Sequence, residues 1–475
     1  MSGESPCPAF MPIRLEPQNV SKRRPRAIVT IIKRNASSSV KGPFVPSSIY
    51  DIAIIGGGAS GLAAAIVAAR EGARVLIIER DVEVGLPLLA TGNGRCNLSN
   101  ESLDPAHYLH PGIASRVMGP TPERGIAEFF DSLGLIRTSI DGRLYPITRR
   151  AESVRDVLLG TCTRENVAIE CACTPMAARY DKAARTWSLE CQRPAQPLKA
   201  KAGVDAKAKL RALRRALRDA KMTHVAFQAR AVIIAAGGKS SSIADIFSLP
   251  HLAASPVLCP LAATPCDTAG LPLESSALKA LDGQRIHATL SLPGCGWAET
   301  GEVLIRAYGI SGIVAFNASR RAHAGDTLEL DLLPELSDAA LHTELERRTS
   351  MRAASPAHNP SWFDGLLARP VASLVFAVAQ EQADLENLGQ AIKHAPFAVT
   401  GTADEQSAQV HRGGISLDVV NLATLGINLP QTSQLFVCGE ALDMDADCGG
   451  FNLAWAWLSG IRAGRAAARA AQETR

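Results

Sequence analysis

The feature that constrains this chain most is Gly56-Gly57-Gly58-Ala59-Ser60-Gly61, a G-x-G-x-x-G run between an apolar stretch, Tyr50 to Ile55, and an Ala-rich stretch ending near Gly72. The apolar run suits a buried parallel strand, the Ala-rich run a helix, and Ala73 to Glu79 a second strand. A strand, helix, strand unit within one sheet requires a right-handed crossover. Gly56 allows the tight turn, Gly58 lets a pyrophosphate approach the backbone, and Gly61 permits close helix-to-strand packing. The helix start at Ala59 and Ser60 offers oriented N–H groups and partial positive charge. Glu79 follows Gly58 by 21 positions, where an acid accepts the hydroxyls of an adenosine ribose, with Arg80 beside it. An acid rather than an arginine at that point disfavours a 2′-phosphate. The pattern predicts dinucleotide binding and leaves FAD and NAD both open.

The same glycines decide a second question. Ile52 to Ala69 is 18 residues without a charge, the length of a membrane span, but four glycines in a tight cluster break any single helix. No membrane span is expected. Two more apolar strands run into glycine: Ala231 to Ala236 into Gly237-Gly238, and Leu435 to Cys438 into Gly439-Glu440. Three such strands far apart in sequence suggest one discontinuous α/β sheet domain. Between the last two, Ile286 to Leu292 and Thr327 to Leu333 alternate like antiparallel strands, and Leu336 to His394 reads as helical. A chain of 475 residues, 47% hydrophobic and 20% charged, has material for about three domains, and its composition excludes a wholly disordered or fibrous chain.

Charge is local rather than global. Fifty Lys and Arg against 46 Asp and Glu leave only +4, too little to make nucleic acid the default partner of the whole protein. Residues 1–48 hold eight Lys and Arg against Glu4 and Glu16, and read as a disordered extension or an organelle-targeting peptide. Lys199 to Lys221 holds nine Lys and Arg against Asp205 and Asp219, with Leu210, Leu213 and Leu217 at helical spacing. That segment reads as a solvated helical insertion, or as a contact for RNA, an acidic partner or an anionic membrane surface. Eleven cysteines without a C-x-x-C pair fit neither a disulfide framework nor a zinc ribbon, and point to a reducing, cytoplasmic setting.

Beyond the fingerprint, Leu88-Leu89-Ala90-Thr91-Gly92-Asn93-Gly94-Arg95-Cys96-Asn97-Leu98-Ser99-Asn100 resembles a signature of the BaiN-like flavoproteins, also called aminoacetone oxidase family FAD-binding enzymes or NAD(P)/FAD-dependent oxidoreductases. The similarity continues through Gly142 to Pro146, Ala235-Ala236-Gly237-Gly238-Lys239-Ser240, Tyr308 to Gly312 and Gly413-Gly414-Ile415. It ends in Gly439-Glu440-Ala441-Leu442-Asp443-Met444-Asp445 and Gly449-Gly450-Phe451-Asn452-Leu453. These matches run in family order over about residues 50 to 465. The resemblance implies noncovalent FAD in a discontinuous Rossmann-like domain, with an inserted antiparallel β domain and a helical domain inserted into that. The expected division is 49–245 and 413–475 for the FAD domain, with the basic insertion at 196–222. The β-rich part takes 246–335 and 395–412, and the helical part 336–394.

The resemblance also implies roles. Thr91 to Asn97 is expected to fold against the flavin, with Arg95 on a cofactor phosphate or a substrate anion. Ala236, Gly237, Gly238 and Gly439 join the cofactor site, and Glu440 and Asp443 lie near the ribityl chain. A helix starting at Gly449, Gly450, Phe451 and Asn452 aims N–H groups at the flavin pyrimidine edge. Candidate catalytic residues are His411, Arg95 and Cys96, each open to a structural reading instead. Asp443, Asp445 and Asp447 alternate like metal-loop acids, but a calcium loop's glycine and final glutamate are missing, so no metal is expected. Arg143 and Tyr145 read as a surface turn.

Departures from the family pattern fall on Leu86-Pro87, Ala307, Ile313, His411 and the shortened Ser240-Ser241-Ser242, and bear on the reaction more than on FAD. The expected activity passes hydride from NAD(P)H, as a transient co-substrate, through flavin to an unsaturated small molecule or to oxygen. The alternatives are an amine or aminoketone oxidase and a flavin-containing RNA-associated factor.

Overall fold

The computed structural model describes residues 49–200, 205–352, 356, 359–380, 384–405, 408–430 and 432–474. The extension at 1–48 therefore lies outside the described residues, as do positions 201–204 of the basic insertion.

Strand Tyr50–Ile55 is buried along nearly its whole length, and that is why Ile52 to Ile55 are continuously apolar rather than alternating; the buried Asp51 is held by accepting the Arg74 N–H at 2.8 Å. It pairs in parallel with Val75–Ile78 on one side and with the C-terminal half of Met222–Ile234 on the other. Ala168–Glu170 extends the sheet beyond Val75–Ile78, and Leu435–Val437 pairs in parallel with Met222–Ile234 through Val232, Ile233 and Ile234. The three glycine-terminated strands thus lie side by side although Tyr50 and Leu435 are far apart in the chain. Met222–Ile234 is long enough to join a parallel and an antiparallel part of one seven-stranded sheet. Its N-terminal half pairs antiparallel with Thr186–Pro194, which pairs antiparallel with Thr174–Asp181.

Helix Ala59–Arg70 covers one face together with the C-terminal helix Phe451–Gln472. The two touch at glycine: a Cβ on Gly460 would lie 2.4 Å from Ser60 O, and one on Gly464 2.5 Å from Ala64 O. Contacts that advance together along both helices mean that the two run in the same direction.

The inserted β region closes into a six-stranded antiparallel barrel: Leu261–Pro265, Gly309–Ser311, Trp297–Arg306, Arg285–Leu292, Thr327–Asp331 and Ala395–Thr402. Helices Asp338–Arg352, Arg369–Ala379 and Leu385–Lys393 enter between its last two strands. Their Leu345, Phe376 and Leu388 share one hydrophobic cluster with Leu290, Leu330 and Phe397 of the barrel. The helices pack on one another, as Phe363 on Phe376, and their core is continuous with that of the barrel. Strands His251–Val257 and Val410–Ile415 pair antiparallel and carry the chain between barrel and sheet. The expected boundary at 412 and 413 falls inside the second of these.

The basic insertion forms helix Ala206–Arg218, N-capped by Asp205, whose side chain accepts the Ala208 N–H at 2.9 Å. None of its residues is buried. Among the described residues no helix is long and apolar enough to cross a membrane. Ile52 to Ala69 instead divides into strand, glycine turn and helix.

Candidate active site

One end of the cleft is made almost wholly of backbone. Gly56 has φ +108° and a Cβ there would lie 2.3 Å from Ala235 O, while a Cβ on Gly61 would lie 2.0 Å from Gly56 O. Gly58 differs: its φ is −80°, and a Cβ would meet nothing within 4 Å. It is the N-cap of Ala59–Arg70, and no side chain caps the N–H groups that follow. Open space in front of uncapped helix N–H groups suits a diphosphate. Glu79 is fixed from behind, Oε2 accepting the Gly57 N–H at 2.7 Å and Oε1 the Asp81 N–H at 2.8 Å. Each oxygen keeps acceptor capacity for a ribose hydroxyl. Arg80 is exposed beside it, and Ala236 and Gly237 are half-buried at the next strand end. Ala59 is half-buried, but Ser60 is buried, filling the contacts with Gly439 and Gly460.

The loop after Leu88 curls through left-handed backbone at Gly92, Asn93, Gly94 and Cys96, with φ of 56°, 54°, 80° and 55°. Thr91 ties its start by donating to Leu88 O at 2.7 Å. The curl puts Arg95 outside, over the ring of Tyr145 at 5.5 Å, and Cys96 fully inside. Burial pushes the Cys96 thiol up to about 11 against a weaker pull from Thr91. A buried thiol held in its neutral form favours the packing reading of Cys96 over the catalytic one. Asn97, oriented to satisfy both neighbours, donates to Ser99 O at 2.9 Å and accepts the Gly450 N–H at 3.1 Å.

The C-terminal helix organises the other end. Trp457 Nε1 donates to Leu98 O at 2.9 Å and Trp455 Nε1 to Gly439 O at 3.0 Å, so one helix pins both loops. Gly450, with φ 97°, is its N-cap; Asn97 takes the Gly450 N–H, and the glycine itself offers no side chain to the N–H groups that follow. From Phe451 to the Gly460 contact with Ser60 is nine residues, so this helix starts roughly 14 Å beyond the diphosphate cradle. That separation has the scale of a ribityl chain with its ring. Asn452 does not face the cofactor space: its amide donates to Ala446 O at 2.7 Å and accepts the Ala446 N–H at 2.9 Å.

Between the two ends stands Glu440. Its Oε1 accepts the His411 N–H at 2.8 Å, and it lies against Gly238, where a Cβ would come within 2.4 Å of Oε1. Burial pushes its carboxyl up to about 7, with Asp445 adding and the His411 N–H opposing. Burial, then the charge of Lys239, lowers the His411 imidazole, whose Nδ1 is 4.0 Å from Glu440. Asp443 accepts the Gly413 N–H at 3.0 Å and lies 3.3 Å from His110 Nε2.

The alternating acids belong to ion pairs. Asp445, 1% exposed, meets Arg320 Nε at 2.5 Å and Arg412 Nε at 2.8 Å. Asp447 meets Arg320, Arg321 at 2.8 Å and His107 at 3.1 Å. Burial alone would raise both carboxyls, but Arg412 and Arg320 at Asp445, and Arg321 and Arg320 at Asp447, outweigh it and hold them below the ordinary range. Arg320 and Arg321 follow the barrel helix Ile313–Ser319, so the network bolts the barrel to the segment just before Gly449. Asn317 of that helix adds a bond, accepting the Cys448 N–H at 2.7 Å while donating to Glu299 at 2.8 Å. Sequence reasoning missed Arg320, Arg321, Arg412, Asn317 and Glu299; the signal was present in the Asp alternation but lacked its partners. Among the described residues no cluster of His, Cys, Asp and Glu is placed to hold a metal ion.

The family described as HI0933-like protein Rossmann domain matches residues 50–193 and 175–466. A 3-dehydro-bile acid delta(4,6)-reductase of Clostridium scindens is 32% identical over 448 residues, covering 88% of this chain and 98% of that protein. A ribosomal RNA dihydrouridine synthase of Haemophilus influenzae is 24% identical, covering 86% and 95%. Among solved structures, the 3-ketosteroid-delta4-(5alpha)-dehydrogenase of Rhodococcus jostii aligns over 89% of this chain and 97% of that one, at 15% identity and a TM-score of 0.43. With the matches spanning sheet, barrel and both ends of the cleft, this chain belongs to the HI0933-like family of FAD-binding Rossmann oxidoreductases.

Proposed function

We propose that this protein is an FAD-dependent reductase that draws hydride from NAD(P)H and saturates an electron-poor carbon–carbon double bond of a small organic substrate. The observation that carries the reading is the end-to-end match, 32% identical over 88% of the chain, to a relative named for reducing such double bonds. When bound, FAD supplies the hydride transfer itself. The chain supplies the rest. The N–H groups after Gly58 bind the diphosphate, Glu79 orients the ribose, and the uncapped start of Phe451–Gln472 favours negative charge at the ring edge. Burial raises the Glu440 carboxyl to about 7, and with Oε1 accepting the His411 backbone N–H, Oε2 is the oxygen left to carry or accept a proton.

The test is anaerobic mixing of the yellow holoenzyme with NADH or NADPH, followed by a conjugated enone. Loss of flavin absorbance with either nucleotide and its return with the enone is the expected result. Loss only with amines would replace this reading by the oxidase alternative. A second reading, favoured by the two relatives named dihydrouridine synthases, places the double bond in a uracil of RNA, with helix Ala206–Arg218 on the phosphates. Filter binding of an RNA fragment at several salt concentrations tests it, since phosphate contacts give a steep slope.

A further inference from the structure

One side of the C-terminal helix, from Leu458 to Glu473, lines a groove of about 1080 Å³, at the upper end of the range for small-ligand sites. The end of Ala59–Arg70, helix Pro122–Leu133 and segments between 423 and 436 complete it. No lining residue belongs to the glycine turn at Gly56, to the loop Thr91 to Asn97 or to the segment Gly439 to Asn452. Arg70 ends a helix that starts after Gly58, so it lies roughly 18 Å from the diphosphate cradle. Leu435 begins a strand that ends two residues before Gly439. The groove therefore reaches the edge of the sheet opposite the cofactor turn, and is a second site rather than an arm of the first.

Its apolar surface comes from buried residues such as Val67, Phe129, Phe436 and Leu458. Its charge comes from Arg462, Arg465 and Arg469, which follow one another at three and four positions on one side of the helix and span roughly 10 Å of its axis. Arg462 donates to a neutral acceptor, Ala423 O, at 3.0 Å. Burial and then the charge of Arg465 lower its guanidinium, so the neighbour that bears on it is another cation. Arg465 meets Glu71 at 3.7 Å, a loose pair on the surface. Arg469 makes no ion pair among the described residues, although Glu473 follows one turn later. Glu128, the remaining acid of the groove, is taken by Arg124 at 2.7 Å. Across from the helix, the half-buried Gln434 and the exposed Asn428 carry side-chain amides with no hydrogen bond among the described residues.

Neighbouring guanidinium groups repel, and an anion with several charges joins them where one carboxylate meets only one. An amide sets a donor beside an acceptor, the pattern that a purine edge answers. We propose that this groove binds a nucleoside di- or triphosphate, its phosphates on Arg462, Arg465 and Arg469 and its base on the apolar surface beside Gln434. That nucleotide lies apart from the chemistry and donates no hydride.

The experiment is isothermal titration of the FAD-loaded protein with ATP, GTP, adenosine and inorganic tripolyphosphate. ATP or GTP should bind with a Kd below about 100 μM, about tenfold or more tighter than adenosine or tripolyphosphate, and leave the flavin spectrum unchanged. Arg462→Gln and Arg469→Gln should each weaken that binding about tenfold, whereas Arg214→Ala should not. Arg469 is exposed, so its variant should keep the FAD content and melting temperature of the parent and carries the test if Arg462→Gln unfolds early. Binding of neither nucleotide by the parent overturns the proposal. So does tripolyphosphate binding as tightly as the nucleotide, which would make the arginines an unspecific anion patch. Binding that survives Arg469→Gln would place the nucleotide in the cofactor cleft and overturn it as well. Sedimentation of the parent covers the other occupant: a dimer that Arg469→Gln dissociates would assign the groove to a second copy of the chain. None of these readouts uses turnover, so failure of the reductase reading leaves the proposal standing.

Discussion

At the glycine-turn end of the candidate site, the groups left open are main-chain N–H groups of a few consecutive residues, and Gly56 and Gly61 beside them are there for want of room. At the ring end, the start of the C-terminal helix is held by side chains from segments hundreds of residues apart: Asn97, Asn100, Asn317, Arg320 and Arg412. The first end is a local conformation, whereas the second is an assembly. Damage to the first should therefore be decided by where one Cβ points. Damage to the second should spread to the docking of the barrel.

The sharpest break of the comparison pairs two glycines of one turn. Gly61→Val forces a side chain onto Gly56 O, and we expect it to cost on the order of 4 kcal/mol or more, leaving little soluble protein. Gly58→Val points into open space, so the apoprotein should melt within about 1 kcal/mol of the parent yet elute without FAD from gel filtration. A yellow Gly58→Val protein would remove the diphosphate assignment.

Asp445→Asn tests the assembled end. It leaves Arg320 and Arg412 short of their shared carboxylate, and one-sided loss of a buried pair costs roughly 3–5 kcal/mol. The pH dependence has a defined sign. Asp445 and Asp447 are held below the ordinary carboxylate range, so their contribution is complete above that range and is lost as pH falls through their lowered values. Thermal melts of the parent should drop below about pH 4, and those of Asp445→Asn should drop less. Parallel curves would mean that the network contributes nothing to stability.

Glu440 gives a smaller effect of opposite sign. Its carboxyl is raised from 4.5 to about 7, so the stability linked to its protonated form is full below 4.5 and lost as pH rises through 7. Glu440→Gln should flatten the melting temperature of the apoprotein between those values, and an unchanged slope would contradict the raised carboxyl. The smallest effect is expected at the basic helix. Arg214 pairs with Asp81 at 2.5 Å, two residues beyond Glu79, but both are on the surface. Arg214→Ala should change stability by no more than ~0.5 kcal/mol and leave FAD content unchanged. Loss of FAD would show that this helix closes the adenosine end.

Much of this contrast was legible before any coordinates. The strand, glycine turn, helix and Glu79 are contiguous or nearly so, and a turn whose φ and contacts only glycine tolerates announces itself in sequence. The three strands that end in glycine were also readable, because burial on both faces leaves a continuous apolar run. Amphipathic periodicity showed that the helical segment has a covered face but not by what; its apolar residues share one cluster with the barrel. For Cys96 the sequence left a reactive and a packing reading open; it has left-handed backbone and is buried, and backbone handedness at a non-glycine residue is not written in its neighbours. The sequence by itself determined the dinucleotide turn, the family and the order of the segments, since each depends on residues close together in the chain. Only the tertiary structure decided that Asp445 and Asp447 meet Arg320, Arg321 and Arg412 rather than a metal, and that Arg143 shares a face with Asn100. Those facts depend on strand register and on the closure of a barrel, which bring together groups from 33 to 127 positions apart.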